Sequence, residues 1–216
     1  AGLYIFLQKS KSKFMKLPDV KSIVTSRERN HESRYIPNHE LLKKTVEHLR
    51  EGGYKIVLTQ GVYDLLHRGH VRYLEGAKAS GDILIVGVDS DELTRQRKSS
   101  ITGVPRPFDP LEDRVEMLLH TRHVDIVTVR DVGPKIEALV ELVQPDILIL
   151  SETTKDIGPE HIKYLKEHCG EIKRLAAQAD TSTTARIRRF MMGGASTMAE
   201  EIMEVIARHT GLGSSE

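Results

Sequence analysis

The chain has one cysteine, Cys169, in 216 residues. A single thiol excludes an intrachain disulfide and a multi-cysteine zinc site, so the fold rests on its apolar core and a reducing, cytoplasmic compartment is expected. Long hydrophobic runs are missing too. None approaches the roughly 18 residues of a membrane span, and Ile147 to Leu150 has the length of a buried strand. No membrane partner is expected. Charge of one sign is also lacking: 32 Lys and Arg face 31 Asp and Glu, a net charge of +1. Without a basic excess, nucleic acid is not the expected partner. The apolar stretch Leu3 to Leu7 is too brief for a secretory leader and precedes its lysines. What is present is 39% hydrophobic and 29% charged residues, the balance of a soluble globular domain with tails.

Residues 1–38 show no sustained hydrophobic period and read as a poorly packed arm, disordered in part or added to a natural start at Met15; a partner-binding arm is the alternative. A domain is expected over 39–195 and a C-terminal helix and tail over 196–216. Leu41, Leu42, Val46 and Leu49 recur at helical spacing, and Gly52-Gly53 stops that helix. Short apolar strands are predicted at Lys55–Thr59, Ile83–Val88, Val124–Val129 and Ile147–Leu150, with a fifth at Glu171–Ala176. Helices are predicted between them, Asp89–Arg97, Pro134–Val143 and Pro159–His168 included, and then at Thr183–Met192. Strands alternating with helices imply an α/β doubly wound parallel sheet, with ligands beyond the strands' carboxyl ends. In the tail, Met198, Ile202, Val205 and Ile206 share a helix face that suits internal packing or a dimer contact.

Directly after the first strand stands Gln60-Gly61-Val62-Tyr63-Asp64-Leu65-Leu66-His67-Arg68-Gly69-His70. Histidines three apart at a helix start project to one side, where unpaired N–H groups and the helix dipole favour an anion. Gly61 and Gly69 leave room for a bulky anion to approach the backbone, which suits a polyphosphate. A two-histidine metal site is the competing reading, but no third ligand lies nearby in sequence. A merely structural histidine pair is the other. Asp64 is expected to order the turn by accepting backbone N–H bonds.

These residues resemble the G-x-(F/Y)-D-x-x-H-x-G-H signature of the cytidylyltransferase-like nucleotidyltransferases. The resemblance continues through Gly81–Asp91, Pro110-Leu111-Glu112-Asp113-Arg114 and Thr181-Ser182-Thr183-Thr184, and spans Lys55 to Phe190. It implies a Rossmann-like five-stranded parallel sheet with helices on both faces. Val71-Arg72-Tyr73-Leu74-Glu75 and Gly103-Val104-Pro105-Arg106-Pro107 look most like the adenylyltransferases that form ADP-heptose from heptose 1-phosphate. Two departures stand out. Ala177–Thr183 lacks the arginine of the cytidylyltransferases' R-T-E-G-(I/V)-S-T. Leu150-Ser151-Glu152-Thr153-Thr154 replaces the K-G-G-D-Y of the heptose enzymes.

The resemblance implies transfer of a nucleoside monophosphate, AMP favoured, from ATP or CTP to a sugar phosphate or similar acceptor, with release of pyrophosphate. His67, His70, Lys98 and Thr183 would be catalytic. Gln60, Gly61, Val62, Tyr63, Gly69, Asp89, Arg114, Ser182, Thr183 and Thr184 would hold the nucleotide. Lys98, Arg106 and Glu152 would hold the acceptor. Asp89 caps the following helix in the competing reading. Mg²⁺ would come bound to the nucleotide, with no dedicated protein metal site. A homodimer is expected. The rivals are a cytidylyltransferase forming a CDP-alcohol such as CDP-glycerol, and a nucleotide-binding module without turnover. Class I aminoacyl-tRNA synthetases share a similar histidine motif but need added domains and a Lys-Met-Ser-Lys-Ser element.

Overall fold

The computed structural model describes residues 31–97, 105–133, 135, 137–152, 158–176 and 183–210. The chain divides into two compact units, Ala1–Asp180 and Thr181–Glu216. In the first, the elements run α1 (His31–Arg34), α2 (His39–Glu51), β1 (Ile56–Gly61), α3 (Arg68–Lys78), β2 (Ile83–Asp89), α4 (Asp91–Arg97), α5 (Leu111–Leu119), β3 (Ile126–Arg130), α6 (Ala138–Val143), β4 (Ile147–Ser151), α7 (Pro159–Glu167) and β5 (Glu171–Leu175). The second contains α8 (Thr183–Thr210). Local signals set these limits. Asn38 accepts a hydrogen bond from the Leu41 N–H at 2.9 Å and so caps α2. Beyond its end Gly53 takes φ 80, a left-handed turn that glycine adopts without strain.

All five strands are parallel, in the order β3-β2-β1-β4-β5. Successive side chains point to opposite faces, so each apolar strand feeds two cores. Ile56, Leu58, Ile83, Ile85 and Leu148 pack with α2, α6 and α7 residues such as Leu42, Leu139 and Leu165. Val57, Leu84, Val86 and Ile149 pack on the other face with Leu74 and Ala77 of α3 and Leu118 of α5. Gly87 has a packing reason to be glycine: a Cβ there would lie 2.5 Å from Leu139 Cδ2. From β1 the chain winds outward to β2 and β3, then returns to β4 and β5 on β1's other side. Strand order therefore reverses between β1 and β4, and a crevice opens at their carboxyl ends. Among the described residues no helix is long and apolar enough to cross a membrane.

Two expectations are corrected here. The stretch read as an arm ends inside the body, because Arg34, Tyr35 and Ile36 are buried. Burying Arg34 is possible because its guanidinium donates to three carbonyls, those of Leu119, Val124 and Asp125. The helices expected at Thr183–Met192 and in the tail are one helix running through Gly193 and Gly194. Each glycine costs a helix interior about 1 kcal/mol, less than the flanking turns supply.

Candidate active site

The loop between β1 and α3 carries the histidine motif, and it is conformationally unusual. Tyr63 and Leu65 take φ 54 and 46, in the left-handed region that side-chain-bearing residues seldom occupy. Such strain persists where surrounding contacts over-determine it, and here they do. The buried Asp64 carboxylate accepts from Arg106 Nε at 2.7 Å and from the Phe108 and Asp109 N–H groups at 3.0 and 2.9 Å. Asp109 in turn accepts from the Leu65 N–H at 2.9 Å. Asp64 orders the turn as its sequence context predicts.

Arg114, at 1% exposure, ties the loop to the sheet. It donates to the Val62, Asp89 and Asp109 carbonyls at 2.6, 2.8 and 3.0 Å, and to Asp91 Oδ1 at 2.6 Å. Through these four acceptors the residue positions the loop. Arg106, paired with Asp64 and itself buried, buttresses the loop as well. Gly61 makes room for the Tyr63 ring, which a Cβ there would meet at 3.3 Å.

This scaffold delivers the two imidazoles. His67 is the extended N-cap of α3, and its Nδ1 accepts from the Gly69 N–H at 3.1 Å. That bond makes Nδ1 the acceptor and Nε2 the nitrogen that carries the proton. His70 lies one turn in. Its ring stacks on that of His67, with centroids 3.9 Å apart and planes at 24°, and the Tyr63 ring meets His70 edge-on at 5.6 Å. A hydroxyl network anchors the helix below them. The Tyr73 hydroxyl lies 2.8 Å from Thr59 Oγ1 on β1 and donates to the Ile149 carbonyl on β4 at 3.3 Å. Burial pushes the Tyr73 phenol up to about 12 and raises Tyr63 well above the usual tyrosine value.

Beside the loop, Gln60, Asp89 and Arg130 stand at or next to the ends of three adjacent strands. Arg130 donates to Asp89 Oδ1 at 2.7 Å and to Gln60 Oε1 at 2.8 Å, while Arg97 holds Asp89 Oδ2 at 3.0 Å. Asp89 is therefore not the cap of α4. Ser90 Oγ caps α4, accepting from the Leu93 N–H at 3.1 Å. Arg97 and Arg130 were not singled out by sequence; an arginine closing the apolar strand β3, at the sheet end where ligands bind, was the available signal. Glu152 is exposed just past β4. Gly69 and Val62 lie on the loop and helix start. Lys98 and Ser182, and the Thr184 side chain, lie outside the described residues, and Thr183 opens α8 in the second unit.

Among the described residues no group of three His, Cys, Asp or Glu side chains is placed to hold a metal. The two buried carboxylates nearest the motif, Asp64 and Asp89, are already engaged by arginines.

Known proteins place the chain. The bifunctional protein HldE of Pseudomonas aeruginosa is 37% identical over 159 residues, 72% of this chain and 32% of that protein. The same protein of Salmonella arizonae is 37% identical over 158 residues, 71% of this chain and 31% of that protein. The chain thus spans about a third of the length of these curated relatives. A lipopolysaccharide core biosynthesis protein from Thermoplasma volcanium matches with TM-score 0.51 and 27% identity, covering 59% of this chain and all of that one. Pantoate-beta-alanine ligase from Francisella tularensis shares the fold, with TM-score 0.50, 15% identity, and coverage of 68% of this chain and 67% of that one. The family model described as cytidylyltransferase-like matches residues 58–190, and the chain belongs to that family.

Proposed function

We propose that this chain is a nucleotidyltransferase that moves AMP from ATP to the phosphate of a sugar phosphate. An oxygen of the acceptor phosphate attacks the α-phosphorus, the bond from that phosphorus to the β-phosphate's bridging oxygen breaks, and pyrophosphate leaves with that electron pair. The attacking phosphate is already ionised, so no base is required. The observation that carries the reading is the stacked pair His67 and His70 at the head of α3, in the crevice where strand order reverses. There the His67 Nε2 proton and the helix dipole meet charge that spreads over the phosphoryl oxygens in the transition state. Ser182, Thr183 and Thr184 would take the β and γ phosphates, and Lys98 and Glu152 the acceptor. Mg²⁺ would arrive on the triphosphate and neutralise it.

The reading extends to a cytoplasmic homodimer joined through α8, where Phe190, Met192, Met198 and Ile202 are exposed, Phe190 at 85%. A monomeric mass by light scattering at micromolar concentration would remove the dimer. The main test is pyrophosphate release with ATP and with CTP across sugar and polyol phosphates. Release with ATP and a sugar phosphate is expected. Release only with CTP overturns the adenylyl assignment, and tight nucleotide binding without any release points to a binding module.

A further inference from the structure

The Asp89 cluster contains more cation than its carboxylate can neutralise. Arg130 spends Nε and Nη2 on Asp89 Oδ1 and Nη1 on Gln60, while Arg97 reaches Asp89 Oδ2 through Nη1 alone. The neighbouring carboxylates are committed elsewhere. Asp91 pairs with Arg114 at 2.6 Å, and Asp131 is exposed and accepts from Ser90 Oγ and from the Val132 N–H. Two guanidinium groups thus share one buried carboxylate, and Arg97 spends only one of its nitrogens on it. Burial lowers the Arg130 pKa, Asp89 opposes that shift, and the nearby Arg97 charge adds to it less strongly.

The arginines face outward. The Asp89 side chain is 1% exposed, that of Arg130 12% and that of Arg97 25%, so the carboxylate forms the floor and guanidinium edges form the rim. The cluster also adjoins the imidazoles. One nitrogen of Arg114 binds both the Val62 and Asp89 carbonyls, and Tyr63, edge-on to His70, feels the charges of Asp89 and Arg130. On the other side of β1, the residue following β4 is the anion Glu152. Arg130 closes β3 beside Arg97, while Arg174 stands near the end of β5.

We propose that Arg97 and Arg130, clamped on Asp89 at the carboxyl ends of β2 and β3, form the subsite that receives the acceptor's phosphate monoester. This rests on the phosphoryl-acceptor reading above. In-line displacement needs the attacking phosphate held apart from the leaving pyrophosphate, in a receiver distinct from the imidazoles. The Arg97 nitrogens not spent on Asp89 can donate to phosphate oxygens, with the positive charge of Arg130 beside them.

Arg97→Gln at the rim carries the test. Removing Arg130 entirely strips Asp89 of its closest partner and endangers folding, so Arg130→Lys is the companion variant. Three quantities are read: acceptor KM at saturating ATP, ATP KM, and the affinity of inorganic phosphate by calorimetry. In R97Q, acceptor KM should rise about 10- to 100-fold and phosphate affinity fall comparably, with ATP KM within about twofold. R130K, which keeps charge but loses the fork, should show a smaller shift of the same kind. A folded R97Q with unchanged acceptor KM and unchanged phosphate affinity overturns the subsite, as does an effect confined to ATP KM. If the wild-type protein releases no pyrophosphate with any acceptor, the proposed transfer reaction fails. The phosphate-binding comparison still decides the subsite by itself: loss of binding in R97Q upholds it, and equal affinity refutes it.

Discussion

Replacing Arg114 by lysine separates two roles that sequence alone leaves together, contact with a triphosphate and support of the loop that presents the imidazoles. Arg114 satisfies the Val62, Asp89 and Asp109 carbonyls and the Asp91 carboxylate from a fully buried position. A lysine keeps the charge and reaches one or two of these acceptors. Each buried acceptor left without a donor costs about 1–3 kcal/mol, and allowing for overlap among neighbours the loss should be about 3 kcal/mol. At about 2–4 °C per kcal/mol for a chain of this size, the melting temperature should fall by roughly 6–12 °C. Urea denaturation followed by circular dichroism gives the stability, and calorimetry with ATP gives the affinity. Both should decline together, because the strained loop loses its tie to the sheet. An R114K protein with wild-type stability to within about 0.5 kcal/mol and an ATP affinity reduced tenfold would refute the bracket and restore a direct contact.

Asparagine caps helices as well as any residue, so His67→Asn should keep the bond from the Gly69 N–H and stability within about 0.5 kcal/mol while removing the imidazole. Turnover, followed as pyrophosphate release, should fall roughly 10²- to 10³-fold. Gly87→Ala drives a methyl against Leu139 and should cost about 1–3 kcal/mol in urea denaturation; the penalty should largely disappear in a Leu139→Ala background. The Tyr73 phenol, lifted by burial to about 12, holds its proton more tightly in the folded state than in the unfolded one. Its contribution is complete below pH 10 and is lost between pH 10 and 12, amounting to about 3 kcal/mol. Denaturation midpoints measured at pH 9 and pH 11 should therefore differ less in Tyr73→Phe than in the wild type.

The elements were legible because their signals are local. Ile83 to Val88 reads as a strand buried on both faces, and such a strand needs only its own apolar run to be recognised. The histidine pair was legible for the same reason: a strand, a glycine and a helix start are contiguous, and the structure stacks the two rings there. The arginines' partners were not legible because a guanidinium's role depends on which acceptors come within about 3 Å of it. Arg114 meets Val62 from 52 residues away, Arg130 meets Gln60 from 70, and Arg34 meets Asp125 from 91.

From its residues alone this protein is an alternating α/β chain with an anion-directed histidine motif after its first strand, since hydrophobic periodicity and helix-start chemistry act over neighbouring residues. Tertiary structure decided the rest. It assigned Asp64, Asp89, Arg106 and Arg114 to one another or to backbone carbonyls, and left Arg97 and Arg130 sharing a single carboxylate at the crevice. The physical reason is that a buried charge must find its partner across the fold, and partners brought together by strand order leave no periodic trace along the chain.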